Sequence, residues 1–427
     1  MMFLRPVSFC LAACIALILS ESASGQTKKF HGSSAPTQST RFIAELTASD
    51  GVAGNALGTA VAVSGNTVVV GENCGQIGGN PYCNLQNQDV VYVYQMPQNG
   101  WGSMVQTAEL TPSDGYQGDL FGEVVAIGGN TIVVASQDKA YVYVNSTGTW
   151  QNMTETAQLT NGVAGYFGGA VAIDKDTIVV GGAGTGATQG QDAVYVFVKP
   201  QTGWVTTSAF NAQLTTSHAA YQNFFGSSVG ISGETIVVGA AFQNDGQTGP
   251  GETYIFTKPQ TGWATGTQTA TLTRSPQGPY DEFGLSVSIS NGTVVVGAQQ
   301  AVGANNLQGA VDVFVEPSGG WVDSTQTVEL VAPFYFYLLQ HFGQSVAVHN
   351  SSIVVGDFSP SNVAFLYNKP ASGWQSASLP QAGLTARRGY SFFGFSVAIS
   401  DDIVVAGAPF ETVGGQTYQG AAYVFSQ

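Results

Sequence analysis

Charge is what this 427-residue chain has least of. Asp, Glu, Lys and Arg make up 9% of it, and 12 basic residues face 27 acidic ones, for a formal net charge of −15. Without a basic patch it lacks the electrostatic footprint that nucleic acids and anionic membranes need. Cysteine is scarce as well: of 4, only Cys74 and Cys83 lie beyond the apolar N-terminal stretch. Long apolar runs are missing, since past residues 7–19 nothing is long enough to cross a bilayer. Downstream of the leader no segment carries a helical period.

The N-terminus reads as a secretory signal peptide over residues 1–25. Arg5 supplies its positive region, residues 7–19 its apolar one, and Ala23-Ser24-Gly25 a small-residue cleavage site before Gln26. Leu11-Ala12-Ala13-Cys14 also fits a bacterial lipoprotein box, although the apolar run continues past Cys14. Residues 26–40 read as a flexible leader and 41–427 as the folded part of a secreted or cell-surface protein. Export places Cys74 and Cys83 in an oxidising compartment, inside one Gly-rich loop, which predicts a local disulfide. Metal ligation is the alternative, but two thiols with no nearby His make a poor site.

What is abundant is repetition. An aromatic-Gly step, a short apolar strand, a tight turn and a Val-Val-Gly-Ala strand recur, clearest from Phe225-Gly226 to Gly239-Ala240 and from Phe283-Gly284 to Gly297-Ala298. The other steps are Phe121-Gly122, Phe167-Gly168, Phe342-Gly343 and Phe393-Gly394, with Leu57-Gly58 as a worn first copy, at spacings from 46 to 64 residues. Such periods mean propellers or solenoids. Each repeat reads as four strands: A after the Phe-Gly step, B as in Thr131-Ile132-Val133-Val134, C as in Ala193-Val194-Tyr195-Val196-Phe197, and D running from a Trp to an Ala-x-Leu-Thr ending, as from Trp150 to Thr160. All 6 Trp residues occupy that one position, which marks a structural role. The last repeat stops after strand C, whereas the ordered part opens on Phe42-Ile43-Ala44-Glu45-Leu46-Thr47, a strand D on its own. Pairing the two completes seven blades and hides both open edges. The expected fold is an all-β, seven-bladed propeller of four-stranded antiparallel blades.

The pattern, nearly complete from Phe393-Gly394 to Gly407-Ala408-Pro409, resembles the FG-GAP repeat, which builds the propeller of integrin α-subunits and of many secreted bacterial proteins. The resemblance covers essentially the whole mature chain and implies a non-catalytic adhesion or recognition module. The integrin-type calcium motif is absent: the A–B loops are stubs such as Asp174-Lys175-Asp176 and Ser400-Asp401-Asp402, too short to wrap the ion, so no cofactor is expected.

In a four-stranded meander, A–B and C–D links fall on one face, and B–C and D–A links on the other. The second face carries the length and variety, which is where binding on a rigid scaffold resides. Its most distinctive loop holds Phe334, Tyr335, Phe336 and Tyr337, an apolar run among polar sister loops. Three readings stand open for it: a plug in the central channel, a partner surface, or a platform for sugar rings. Asp245, Asp281, Glu282 and Tyr418 are further candidates on that face, and His218 and His341 share it. Apparent catalytic motifs dissolve. Gly226-Ser227-Ser228-Val229-Gly230 imitates a nucleophile elbow, but Ser228 aligns with strand-A residues and no helix follows. The expectation is therefore a monomeric module binding an extracellular protein or glycan. A lectin is the first rival, and a lyase or hydrolase with its site at the channel mouth the second.

Overall fold

The computed structural model describes residues 40–72, 90–116, 118–162, 167–182, 192–217, 224–241, 249–301, 308–333, 341–358, 362–376, 379–386 and 391–427. These form seven small sheets arranged as a propeller, with no helix among them. The innermost strands A are Leu57–Ser64, Val125–Gly128, Ala170–Asp174, Ser228–Ser232, Ser286–Ser290, Val346–His349 and Val397–Ser400, in blades 1 to 7. Each packs on the next, and the seventh packs on the first. Blade 4 is typical, with strand A followed by Thr235–Ala240, Glu252–Thr257 and Ala270–Thr273. Blade 7 takes its strand D from the front of the chain: Arg41–Thr47 pairs antiparallel with Ala421–Ser426, Phe42 opposite Phe425 and Leu46 opposite Ala422.

Hydrophobic burial sits between blades. Strands B and C alternate or run fully apolar, and their side chains fill seven inter-blade cores. In one of these, Phe225, Tyr254, Phe256 and Trp263 of blade 4 meet Val194, Val196, Ala212 and Leu214 of blade 3. The Phe of each aromatic-Gly step lies edge-on to strand-C rings, as Phe225 does to Phe256 at 6.0 Å.

The repeat's glycines have a steric cause. At Gly239 a Cβ would come 2.0 Å from the carbonyl oxygen of Gly284 in the next blade, and at Gly407 it would come equally close to that of Gly58. Backbone rests directly on backbone from blade to blade. Ser228 Oγ donates to the same Gly284 carbonyl at 2.7 Å, and Ser286 and Ser396 repeat the bond to Gly343 and Gly58. The residue that imitates a nucleophile is thus a strand-A hydroxyl holding two blades together.

Strand D is shorter than the sequence suggests. The stretch from Trp150 to Thr160 is not one strand: only Ala157–Leu159 pairs with strand C, and Met153 bridges to Leu110 of the preceding blade. Elsewhere the crossing segment forms a short parallel strap: Met104–Val105 lies on Leu46–Thr47, Gly266–Thr267 on Leu214–Thr215, and Ser324–Thr325 on Leu272–Thr273. Two residues after each Trp, a small polar side chain accepts the N–H at the middle of the covered strand. Ser103 takes it from Glu45, Asn152 from Glu109, Thr206 from Gln158, Thr265 from Gln213, Asp323 from Thr271, and Ser376 from Glu329. The straps satisfy edge groups that would otherwise pair with another chain.

Candidate functional site

The two ends of the propeller differ in kind. At one end every A–B link is a two-residue turn, from Gly65-Asn66 to Asp401-Asp402. The last strand-A side chain often accepts an N–H from the next blade's turn: Ser64 from Gly129, Asp174 from Gly233, Ser232 from Asn291, Ser290 from Asn350, and Ser400 from Gly65. A cavity of about 500 Å³ opens within this ring, bordered by Asn130, Asp174, Lys199 and His349. At the other end, B–C links run from four residues (136–139) to eighteen (73–90), and the D–A links differ in length and in most of their sequence ahead of the aromatic-Gly step.

On that variable end, Asp281 and Glu282 are only 1% and 2% exposed. Asp281 has a structural counterpart in Asp119. Each folds its D–A loop by accepting the N–H three residues back, Asp281 from Gly278 at 2.7 Å and Asp119 from Tyr116 at 3.2 Å. Glu282, in a left-handed conformation at φ 55°, accepts from the side-chain amides of Gln299 and Gln300. Tyr418 is half-buried, its ring 4.8 Å from Phe410, which stacks on Phe392 at 4.3 Å. Phe358 continues this row of rings, 5.0 Å from Phe392 and stacked on His341 at 4.7 Å. Phe334, Tyr335, Phe336, Tyr337, Asp245, His218, Cys74 and Cys83 lie outside the described residues. The stems of the 334–340 loop are anchored: Gln308 donates to the Ala332 carbonyl at 3.1 Å, and the His341 N–H reaches Asp357 at 3.3 Å.

A cluster that sequence reading missed lies beneath Asp281. Arg274, 3% exposed along its side chain, bonds Asp281 at 3.1 Å, Asp312 at 3.2 Å and Glu329 at 3.0 Å. One guanidinium thus serves three carboxylates, and one oxygen each of Asp281 and Asp312 has no hydrogen-bond partner among the described residues. Burial pushes the Asp312 carboxyl up to about 7, against the pull of Arg274. Asp312 occupies the strand-C place that Tyr92, Tyr141, Tyr254 and Tyr423 hold in sister blades, so Arg274 and its carboxylates replace a ring. That exchange of type was the available signal. Burial also holds the His341 imidazole down at about 4, keeping it neutral, and the ring packs on Phe358. His341 and the pair Asp281–Glu282 therefore have separate partners, and no acid–base constellation joins them. No group of three or more His, Cys, Asp or Glu among the described residues is placed to hold a metal ion.

Two D–A loops also present tyrosines to solvent, Tyr116 at 55% and Tyr280 at 50% exposure. Both sit in loops that read as polar.

With the blade geometry established, comparison with known proteins is direct. The FG-GAP repeat family matches residues 40–94, 104–147, 209–256, 267–314 and 381–425, more than half of the chain. The chain belongs to the FG-GAP repeat family. Each matched stretch spans one strand D and the next blade's A, B and C, so the FG-GAP unit is offset from the blade by one strand. Strands A, B and C of blades 3 and 6, with the strands D of blades 2 and 5, are FG-GAP-like in fold but lie outside the matched stretches. Ahead of blade 3, Ala135 stands where other blades have Gly, and Gly168 rides over the Ser136 carbonyl instead. No curated protein matches the chain. No helix among the described residues is long and apolar enough to cross a membrane.

Proposed function

We propose that this FG-GAP propeller is an exported, non-catalytic binding module that recognises an extracellular protein or glycan through its B–C and D–A loops. The observation that carries this reading is the contrast between ends. One end is a uniform ring of two-residue turns bonded blade to blade, and the other has long, dissimilar links on the same rigid frame. Variable loops on a rigid scaffold are where recognition is built. Exposed Tyr116 and Tyr280 supply flat apolar faces with polar tips, suited to protein surfaces and to sugar rings. Phe334, Tyr335, Phe336 and Tyr337 add the most apolar sequence on the same end. The buried carboxylates Asp281 and Glu282 support loops in this reading and do not touch the ligand. Asp245 and Tyr418 border the same surface in sequence.

The test is a screen of the mature protein on glycan and matrix-protein arrays, with calcium and with chelator. Binding that survives chelation and is lost when residues 334–337 are changed to Ser, in a variant with an unchanged melting curve, supports the proposal. A blank in both conditions, or binding indifferent to that change, contradicts it. Hits confined to sugars assign the module to the lectin class.

A further inference from the structure

A strap satisfies three backbone groups of the edge it covers. On blade 1 the Glu109 N–H donates to Asn152 Oδ1, the Met153 N–H donates to the Glu109 carbonyl at 3.2 Å, and the Thr111 N–H donates to the Met153 carbonyl at 3.3 Å. On blade 2, Gln158 and Thr160 make the same three bonds with Thr206 and Thr207. By register the matching groups on blade 6 are the N–H and carbonyl of Gly383 and the N–H of Thr385. Among the described residues these three have no partner, and their strand, Ala382–Thr385, pairs only with Val363–Asn368. Exposure agrees. Gly383 and Thr385 are exposed and Ala382 is half-buried, whereas Ala108, Ala157, Ala212 and Ala270 at the matching place are at most 1% exposed. The stretch that would supply the strap is engaged elsewhere. Straps precede the next blade's strand D, and blade 7's strand D starts three residues earlier than its sisters. Arg41, at the place of Val105, pairs with Ser426, and Thr40, at the place of Met104, forms no bridge to Leu384. Nothing on the edge blocks pairing: its register with strand C is unbroken, and Ala382-Gly383-Leu384-Thr385 holds no charge and no proline.

We propose that the outer edge of blade 6 is a docking site for an extended segment of a partner protein. The segment adds to the sheet as a short parallel strand and places a Ser, Thr, Asn or Asp side chain to accept the Gly383 N–H. The occupant's chemistry is read from the six covered edges of this same chain. Their caps are Ser103, Asn152, Thr206, Thr265, Asp323 and Ser376. Directly after the cap, two residues pair in parallel, as at Met104–Val105, Gly266–Thr267 and Ser324–Thr325. Main-chain hydrogen bonds supply the affinity of such strand addition, and the cap supplies a sequence preference. A second copy of the edge offers Ala, Gly and Leu where the cap is required, so the occupant is a different chain. Leu379, three residues ahead of the strand, is 79% exposed, the highest value among the described large hydrophobics, and borders the site with an apolar side chain. The edge lies on the outer rim, apart from the loop end assigned to recognition, and neither reading rests on the other.

Amide hydrogen exchange on the mature protein tests this, with a peptide of residues 261–269 as the probe, the sequence that straps blade 3 through Thr265 and Gly266–Thr267. At saturating peptide, Gly383 and Thr385 should exchange about ten-fold more slowly, the gain of one edge hydrogen bond each. Gln213, under its own strap, should not change. The same peptide with T265A should lose most of the protection. In the protein, G383P removes the outward donor and leaves the ladder to strand C, so the peptide should no longer protect Thr385; the T265A peptide makes the same test on the unaltered chain. No protection by the peptide, or equal protection by both peptides, overturns the proposal. Gly383 already as protected as Gln213 without peptide overturns it by giving the edge to the chain's own residues. Protection that rises with protein concentration alone overturns it by giving the edge to a second copy.

Discussion

Replacing Asp312 by Asn removes one titration from the interior of blade 5. In the folded protein that carboxyl is raised from 3.8 to about 7, chiefly by burial. A group that holds its proton more tightly when folded stabilises fully below its unfolded midpoint and loses that contribution as pH rises through the folded one. The window is therefore pH 3.8 to about 7. Roughly three pH units at about 1.36 kcal/mol each give on the order of 4 kcal/mol. Asn keeps the neutral shape throughout, so the stability of D312N minus that of the parent should climb by several kcal/mol across the window. Urea unfolding at half-unit pH steps measures it. A difference that stays flat would refute the reasoning and show that Arg274 keeps Asp312 ionised throughout. Removing Arg274 is the complement: R274M strands the carboxylates of Asp281 and Asp312 and should cost about 3–5 kcal/mol near neutrality. The loss should shrink as pH falls below about 7, where Asp312 takes up its proton.

The remaining predictions concern other contacts. His341, lowered from 6.5 to about 4 by burial, loses stability for the fold as pH falls through that range, so H341F should gain on the parent with acidification in the same urea series. In G239A the new methyl meets the Gly284 carbonyl 2.0 Å away, and the variant should lose at least about 1–3 kcal/mol, read as a lower urea midpoint with an unchanged slope. F225A empties the middle of an inter-blade core and should cost about 3–5 kcal/mol by the same assay. S228A forfeits one inter-blade hydrogen bond, roughly 0.5–1.5 kcal/mol, and should leave ligand binding on the arrays intact.

Much of the fold was legible because the repeat is a packing rule. Gly239 and Gly284 must both be Gly for backbone to rest on backbone, so the motif recurs at six of the seven blade contacts, Ala135 being the exception. Closure was legible from the unmatched strand D at Phe42–Thr47, because an unpaired edge demands a partner. The straps were not legible: Met104–Val105 and Gly266–Thr267 are too short to carry a period, and only the small polar residue after each Trp marks them. Asp281 and Glu282 read as surface acids because loops usually lie in water. Asp281 is buried because this D–A loop folds down onto Arg274, whose other partner Asp312 stands in for a strand-C ring, and Glu282 because it turns onto Gln299 and Gln300. In a single strand an Asp among β-branched residues looks like a solvent-facing position, and its oddity emerges only when blade 5 is set beside its sisters.

Hydrogen-exchange footprinting of the protein with and without its captured ligand tests the division between the two ends most directly. The account predicts protection at Tyr116, Tyr280 and the stems at Ala332 and His341, with the turns from Gly65-Asn66 to Asp401-Asp402 unchanged. Protection confined to those turns and to the cavity beside His349 and Asp174 would contradict it and move the binding surface to the opposite end.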